Sequence, residues 1–349
     1  MERWEIPCSF LPLSLFTSTF QINTMNKFSL LLYCALFSAI SLACSKRSSP
    51  SPDRPAKLRV LGYLMSHNNW VADAESIDLS KITDLNLAFM NPDASGQFFV
   101  NDNVHQLVKK AHERQVRVFI SIGGGEPPAH LAAMITPANS GMLISGITAL
   151  MDKHNFDGVD VDLENDLINE HYAGFVNALG AALKAKGKLM TAALASWNAH
   201  KIPDATLALY DFINIMSYDK TGPWNPANPG PHSPFEMAET DFRYFHITRG
   251  LSAEKLFIGL PFYGYGFGTN APASIHYKDL ITQFPGAENG DEIAVPGGGR
   301  IYYNGPATIR QKVKLALGKK AGGVMIWELK QDSRDDNSLL GAINAVIGE

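Results

Sequence analysis

Short apolar runs alternate with amphipathic segments along the chain from Lys57 onward. Eight runs have the length and side-chain types of β-strands. They read LRVLGYL, ITDLNLAFM, VRVFISIGG, GVDVDLE, LMTAALA, DFINIMSYD, LFIGLPFYG and GGVMIWEL. The segments between them space their apolar residues as one helix face does, for example Val104, Leu107, Val108 and Ala111. Strands that alternate with helices predict βαβ units and a parallel sheet.

The number of these units favours a closed (β/α)8 barrel, or TIM barrel, over an open doubly wound sheet. An open dinucleotide-binding sheet typically has a GxGxxG turn after its first strand, and this chain has none there. The stretch SIGGG after the third strand is glycine-rich but lacks that spacing. We therefore predict a single α/β catalytic domain over residues 57–349.

Helix ends are also marked. Ser233, with Glu236 three residues later, has the spacing of a capping box at a helix start. Gly187 and Gly250 are typical helix stops. One connection, residues 265–305, spans about 40 residues between the seventh strand and a helix predicted near Pro306.

Residues 25–44 have the layout of a secretory signal. Lys27 follows Met25, and an uncharged apolar run then ends in small residues before Cys44. The run is shorter and more often interrupted by serine than a membrane span. A cysteine directly after SLA resembles a bacterial lipoprotein signal, although Ser41 stands where leucine is usual. We predict lipidation at Cys44, with plain secretion as the alternative and an uncleaved anchor as the last choice.

The flanking segments are not expected to contribute to the fold. Residues 1–24 contain charged residues that do not suit a signal, and we interpret them as an over-extended gene start. Residues 45–56 are rich in serine and proline, and predict a tether. An anchored form would lie in the periplasm or at the cell surface, with a lipid as its sole membrane contact.

Composition excludes several classes of function. The net charge is −4 and there is no long lysine or arginine run, so nucleic acid is not a predicted partner. The three cysteines all precede residue 45, which leaves no disulfide framework or thiolate metal site in the predicted domain. The ten histidines show no HExxH or similar spacing. We predict no metal, no organic cofactor and a monomer.

The fourth strand is unusual because three acids, Asp160, Asp162 and Glu164, share one of its faces. In a barrel that face points inward, and the active site lies at the C-terminal ends of the strands. Crowded carboxylates raise one another's pKa, so Glu164, nearest the mouth, suits the role of a general acid. Asp162 lies beside it on the same strand, which suits support better than attack and leaves the substrate to supply the nucleophile.

The stretch DGVDVDLE matches the DxxDxDxE signature of glycoside hydrolase family 18, the chitinase family, and SIGG matches its SxGG motif. GYL, LAF, MSYDKTGPW and MIW follow the same pattern on strands one, two, six and eight. Nearly the whole chain from Lys57 resembles this family. The resemblance implies a retaining mechanism in which the substrate's 2-acetamido oxygen attacks the anomeric carbon and forms an oxazolinium ion.

The resemblance also implies roles for the acids. Glu164 would be the general acid and later the general base, and Asp162 would orient the acetamido group. Asp160 would share a proton with Asp162, and Ser121 and Tyr63 would hydrogen-bond at the base of the three acids.

Further residues would bind the sugar. Tyr218 would hold the acetamido oxygen and Asp219 a sugar hydroxyl. Trp327 would form the floor under the distorted sugar, Trp224 a platform for the leaving group, and Phe89 a further contact. Tyr63 and Phe89 could instead fill the barrel. Trp70 and Trp197 follow strands one and five and stay open as sugar platforms or structural residues.

Three departures from the family pattern affect these expectations. Leu163 replaces a common tryptophan, but its parity points outward. Gly125 stands where many chitinases have an aromatic residue that binds leaving-group sugars. The connection after strand seven looks too short for the full insertion domain of many members, so we expect a shallow, open cleft.

The implied substrate is a polysaccharide or oligosaccharide that contains N-acetylglucosamine, cut at β-1,4 bonds in chitin or its oligomers. An endo-β-N-acetylglucosaminidase, which cuts the chitobiose core of N-glycans, uses the same residues and is the alternative. A catalytically inactive lectin is a remote second alternative, because such proteins usually lack the acid that Glu164 provides.

Overall fold

The structure, a computed structural model, describes residues 57–349. The predicted gene-start segment (1–24), the signal with Cys44 and the tether (45–56) lie outside the described residues.

The eight predicted runs form the eight parallel strands of a closed barrel, which confirms the (β/α)8 fold. The strands follow one another around the barrel in chain order, and the last pairs with the first. They are β1 (Arg59–Met65), β2 (Asp84–Ala88), β3 (Arg117–Gly124), β4 (Gly158–Leu163), β5 (Leu189–Leu194), β6 (Phe212–Ile215), β7 (Leu256–Pro261) and β12 (Gly323–Trp327).

Helices connect the strands on the outside of the barrel. Their order is α1 (Trp70–Ala74), α2 (Val104–His112), α3 (Leu131–Met134), α4 (Ser140–His154), α5 (Tyr172–Ala185), α6 (Asp204–Leu207), α7 (Phe235–Arg243), α8 (Tyr277–Gln283), α9 (Pro306–Gly318) and α10 (Leu339–Gly348). In α2 the buried residues are the four predicted from the apolar spacing. Among residues 57–349, no helix has the length and hydropathy needed to span a membrane.

The hydrophobic core has two parts, which follow from strand alternation. A large outer layer lies between barrel and helices and includes Val159, Val161 and Leu163. A smaller inner cluster fills the barrel and includes Tyr63, Phe119 and other large side chains. Leu163 therefore faces outward, as its parity predicted, and the opposite face of β4 is left for the acids.

The connection after β7, which we expected to be too short for a full insertion domain, contains a small antiparallel sheet. Its strands are β8 (Tyr263–Phe267), β9 (Ser274–His276), β10 (Glu292–Ala294) and β11 (Arg300–Tyr302), in the order β10-β11-β8-β9. Helix α8 lies within the same segment. One residue separates this unit from the end of β7, so the unit stands at the C-terminal end of the barrel, where the active site of this fold lies.

One prediction about helix ends is wrong. Helix α7 begins at Phe235 with Pro234 as its N-cap residue, and no side chain caps it. The hydroxyl of Ser233 instead donates to the carbonyl oxygen of Ser217, at 2.6 Å. The two predicted glycine stops, Gly187 and Gly250, do adopt positive φ, at 65° and 68°.

Candidate active site

Strand β4 presents the three acids at successive heights in the barrel. Asp160 is completely buried and Asp162 is 3% exposed. Glu164 follows the last residue of the strand and is partly exposed at the mouth. The inward parity that the sequence predicted is therefore what the structure has, with Glu164 closest to solvent.

The carboxylate of Asp160, at the base, accepts four hydrogen bonds. Tyr63 Oη and Ser121 Oγ donate to Oδ2 at 2.7 and 2.8 Å. Thr191 Oγ1 and Asn214 Nδ2 donate to Oδ1 at 2.7 and 3.1 Å. Burial raises the pKa of Asp160, and these four bonds act against that rise.

Asp162 has a different environment. Its Oδ1 atom is buried and has no hydrogen-bond partner within residues 57–349. Burial, followed by the charges of Glu164 and Asp160, raises the pKa of Asp162 well above its usual value. No hydrogen bond joins Asp160 to Asp162 in the described part of the chain, so the proton sharing expected from the resemblance has no direct bond in this structure.

Glu164 is poised to be protonated near neutral pH. Burial, and next the negative charge of Asp219, raise the pKa of Glu164 to about 7. A carboxyl group with a pKa close to the working pH can both give up and take back a proton, which general acid and base catalysis require.

The two glycines of SIGG permit a close approach of β3 to these acids. A Cβ on Gly123 would lie 2.1 Å from the carbonyl oxygen of Asp162, and one on Gly124 would lie 2.6 Å from the ring of Phe89. Both glycines have positive φ, at 103° and 95°. The side chain of Asn91 fixes this turn, since it accepts from Gly123 N at 2.7 Å and donates to Gly123 O at 2.9 Å.

An aromatic group borders the acids. The indole of Trp327, at the end of β12, stacks on Phe89 with ring centroids 5.6 Å apart and meets Tyr63 edge-on at 5.3 Å. A cavity of about 540 Å³ opens beside Trp327 and Phe89 and extends to Gly125. Tyr63 therefore both packs in the barrel and binds Asp160, while Phe89 supports the indole.

Tyr218 and Asp219 follow β6, which lies two strands from β4 around the barrel. Tyr218 is 9% exposed, and its hydroxyl contacts Met325 Sδ at 3.8 Å. Asp219 has a positive φ of 62° and accepts a hydrogen bond from Tyr263 Oη. Its carboxylate is 42% exposed and also lies 3.4 Å from the buried ring of His232. Asp219 thus lies at the rim with a protein partner already in place.

The tryptophans left open by the sequence differ in exposure. Trp224 is 61% exposed and meets Tyr265 edge-on at 5.2 Å, and Trp197 is 63% exposed. Trp70 is 1% exposed and starts helix α1, and its Nε1 donates to Asn68. Trp70 is therefore a core residue and not a sugar platform.

Sequence reasoning missed several residues that contact the predicted ones, among them Thr191, Asn214 and Tyr263. Thr191 and Asn214 are polar residues inside otherwise apolar strands, a signal that could have identified them. Tyr263 belongs to the small sheet, and no local pattern relates it to Asp219. No cluster of three or more potential metal ligands occurs among residues 57–349.

The three acids extend from the base of the barrel to its mouth, and the half-buried glutamic acid lies above an aspartate oxygen that has no hydrogen-bond partner among residues 57–349. This arrangement can protonate a leaving group and bind a polar N–H beside it. Residues 59–332 match the family described as glycosyl hydrolases family 18. The chain belongs to glycoside hydrolase family 18.

Individual family 18 relatives agree with this assignment. The solved structure of a chitinase from the chitin utilization locus of Flavobacterium johnsoniae is 38% identical, has a TM-score of 0.73, and is matched over 83% of this chain and 94% of that one. Chitinase 1 of Aphanocladium album is 26% identical over 77% of this chain and 80% of its own length. Human YKL-39, described as a pseudo-chitinase that retains chitooligosaccharide binding, has the same fold at 20% identity, with a TM-score of 0.71 over 84% of this chain and all of that one.

Proposed function

We propose that this protein is a glycosidase that cleaves β-1,4 bonds next to N-acetylglucosamine, in chitin or chitooligosaccharides, with retention of configuration. The observation that supports it most is the pairing of two carboxyl groups at the mouth. Burial raises the pKa of Glu164 to about 7, and the buried Oδ1 of Asp162 has no hydrogen-bond partner within residues 57–349. Glu164 suits proton transfer, and Asp162 Oδ1 suits a hydrogen bond from an N–H group of the substrate.

The proposed first step forms an oxazolinium ion. Glu164 protonates the glycosidic oxygen, and the C1–O bond to the leaving sugar breaks. The carbonyl oxygen of the substrate's acetamido group bonds to C1, while Asp162 accepts a hydrogen bond from the acetamido N–H and stabilises the positive charge that develops. Tyr218 donates to the acetamido oxygen, and Trp327 packs beneath the sugar ring.

The second step returns the enzyme to its starting state. Glu164, now ionised, takes a proton from water, and the water oxygen attacks C1 on the face that the leaving group vacated. The oxazolinium ring opens, the acetamido group is restored, and Glu164 again carries a proton. One glutamate serves both steps because its pKa lies near neutral pH.

The direct test is hydrolysis of chitotetraose by residues 57–349, followed by mass spectrometry of the products. Glu164→Gln keeps the shape of the side chain but cannot donate the proton, and we expect kcat to fall by about 10²- to 10⁴-fold. Glu170→Gln is the matched control, because Glu170 is an exposed glutamate six residues further along. Hydrolysis that survives Glu164→Gln unchanged would remove the proposed role of this residue.

An endo-β-N-acetylglucosaminidase acting on N-glycans is the second candidate. It is favoured by Gly125, which puts no side chain where an aromatic platform for a chitin chain would stand. A Cβ at Gly125 would lie 3.5 Å from Glu164 Oε1, so the space beside the acid is open. Cleavage of an N-linked high-mannose glycopeptide, without cleavage of chitotetraose, would favour this substrate and leave the mechanism in place.

The third candidate is a lectin on the same fold. Glu164→Gln separates it from an enzyme, because a lectin would bind chitotetraose equally well with either residue and show no turnover in the wild type. The retention of Glu164, Asp162 and Tyr218 argues for the enzyme.

We also propose that the protein is exported and anchored through a lipid on Cys44, with secretion as the alternative. The support is the composition of residues 25–44. In the native host, the full-length protein should fractionate with membranes, and Cys44→Ala should release it. A wild type found in the medium would favour secretion.

A further inference from the structure

Lys312, on helix α9, is completely buried. Lysine is rarely buried unless its charge is paired, yet no carboxylate within residues 57–349 lies within 4.0 Å of its Nζ. The three N–H groups donate to neutral oxygens instead. They bind Ser233 O at 2.8 Å, Ser233 Oγ at 2.6 Å and Asn304 Oδ1 at 2.7 Å. All the donors of the ammonium group are thus used on two residues outside its own helix.

Burial of this cation is unfavourable, so its contacts need a reason. Burial lowers the pKa of Lys312 to about 7, and the more distant charges of Asp291, Asp241 and Glu236 oppose that change only in part. A methionine of similar volume would avoid the penalty, as replacements of buried charges often do. The three directed hydrogen bonds are what an apolar side chain could not supply.

The bonds of Lys312 lead to the segment that follows β6. Ser233 Oγ, which accepts from Lys312, donates to Ser217 O at 2.6 Å. Ser217 immediately precedes Tyr218. A few residues on, Lys220 N donates to His232 O at 2.9 Å. The start and the end of the β6–α7 connection are therefore hydrogen-bonded to each other. Lys312 binds Ser233, which makes one of these bonds.

A second set of contacts, made by His232, fixes the same β6–α7 connection. The buried ring of His232, next to Ser233, lies between Asp219 Oδ1 at 3.4 Å and Tyr263 O at 3.3 Å. Asn304 Nδ2 also donates to Ser233 O at 3.0 Å, so both the carbonyl oxygen and the hydroxyl of Ser233 are hydrogen-bonded. This explains why Ser233 does not cap helix α7: its hydroxyl is shared between a buried ammonium and the strand end that precedes Tyr218.

We propose that Lys312 is a positioning residue for the reaction, which fixes Tyr218 through Ser233 and Ser217 without touching the substrate. The inference rests on the proposed function, in which Tyr218 binds the acetamido oxygen. Loss of the ammonium leaves Ser233 Oγ and Asn304 Oδ1 without their donor, and the backbone that carries Tyr218 loses its support. Because a displacement of about 1 Å near the chemistry can reduce the rate about 100-fold, such a distant lysine can control kcat.

The test compares two lysine-to-methionine changes on one helix. Lys312→Met removes the three donors, and Lys314→Met, whose side chain is 62% exposed, is the matched control. With chitotetraose we expect Lys312→Met to lower kcat by about 10- to 100-fold with KM changed less than about threefold. Lys314→Met should match the wild type. In a Tyr218→Phe background, Lys312→Met should cause little further loss, because both changes act through one phenol.

A readout that needs no activity separates this proposal from the proposed function. Hydrogen–deuterium exchange of peptides within residues 217–234 should rise in Lys312→Met and stay unchanged in Lys314→Met. If the wild type does not cut chitotetraose, the proposed function fails. The exchange result still tests whether Lys312 holds residues 217–234 in place. If Lys312→Met does not fold, Ser233→Ala replaces it, since it removes the hydroxyl between Lys312 and Ser217. Wild-type exchange in a folded variant, or losses that add fully to those of Tyr218→Phe, would overturn the positioning role.

Discussion

Asp160 and Asp162 stand two residues apart on the same face of one strand, yet their carboxylates are treated in opposite ways. Asp160, at the base of the barrel, accepts four hydrogen bonds from four different side chains. Asp162, one step nearer the mouth, has a buried oxygen without a partner in the described chain. Both are buried and both have raised pKa values, so burial alone does not distinguish them.

The difference teaches how one strand can be both structural and reactive. At the base, polar side chains from β1, β3, β5 and β6 converge on Asp160 and compensate for its desolvation. At the mouth, residues 57–349 provide no partner for Asp162 Oδ1, which leaves this oxygen unfavourably buried until a ligand arrives. Sites for catalysis often retain such strain, at the expense of stability. The predictions below test whether base and mouth really divide these tasks.

The largest effect is expected for Asp162→Asn. The amide cannot stabilise the positive charge of the oxazolinium ion, and we expect kcat on chitotetraose to fall about 10²-fold or more. The same change should make the protein more stable by about 0.5–2 kcal/mol at pH 7, because it removes a poorly compensated carboxyl group. Urea unfolding measures the second effect. Asp166→Asn, an exposed aspartate just beyond the strand, is the control for both.

The pH dependence of that stability gives a sharper version. An unfolded aspartate has a pKa of about 3.9, whereas Asp162 keeps its proton to higher pH in the folded protein. Between the two pKa values the folded state binds more protons, so the free energy of unfolding falls as pH rises. Asp162→Asn should flatten this fall above about pH 4. A variant that is less stable than the wild type at pH 7 would mean that Asp162 is well compensated, and the contrast with Asp160 would be lost.

At the base, Thr191→Val should affect stability more than catalysis. Valine keeps the shape of threonine but removes the hydroxyl that donates to Asp160 Oδ1 at 2.7 Å. We expect the free energy of unfolding to fall by about 1–3 kcal/mol, and kcat by less than about tenfold. The measurements are urea unfolding and chitotetraose hydrolysis, with Thr148→Val, at a half-buried position of helix α4, as the control. A large loss of kcat with unchanged stability would place the base in the reaction itself.

At the mouth, the charge of Asp219 should set the alkaline limit of activity. Glu164 must be protonated to act as an acid, so kcat/KM should fall as pH rises through about 7. Asp219→Asn removes a negative charge that helps to raise this pKa, and the alkaline limb should move to lower pH. Asp166→Asn should leave the limb in place, although Asp166 is only two residues from Glu164. An unmoved limb in Asp219→Asn would assign the raised pKa to burial alone.

The sequence predicted the base and the mouth to different degrees. The eight barrel strands were found because each is a continuous apolar run, and the inward acids because strand parity has a period of two. The partners of Asp160 were found only in part. Tyr63 and Ser121 came from the family resemblance, whereas Thr191 and Asn214 were missed, because no local pattern says which strand ends up opposite which acid.

Two other failures have the same physical origin. Ser233 has the local spacing of a helix cap, but its hydroxyl instead accepts a hydrogen bond from the ammonium of Lys312, 79 residues further along. Strands β10 and β11 are three residues long, and they are specified by the pairing of β11 with β8 and of β10 with β11 rather than by a periodic pattern. Both features depend on contacts between residues that are far apart in the sequence, and local sequence patterns carry no information about such contacts.

The smallest effect is expected beyond the mouth, at Trp224. This residue should contribute to substrate binding but not to the chemical step. Its ring lies against Gly222, where a Cβ would approach it to 2.3 Å, and its edge contact with Tyr265 leaves it 61% exposed. A supported but exposed indole suits a leaving-group sugar. We expect Trp224→Ala to raise KM for chitotetraose about 2- to 10-fold, the equivalent of one aromatic contact, with kcat nearly unchanged. Trp224→Phe should retain most of the affinity, because the aromatic face remains. A fall in kcat instead would mean that Trp224 stabilises the transition state. The roles of base, mouth and rim would then not be independent.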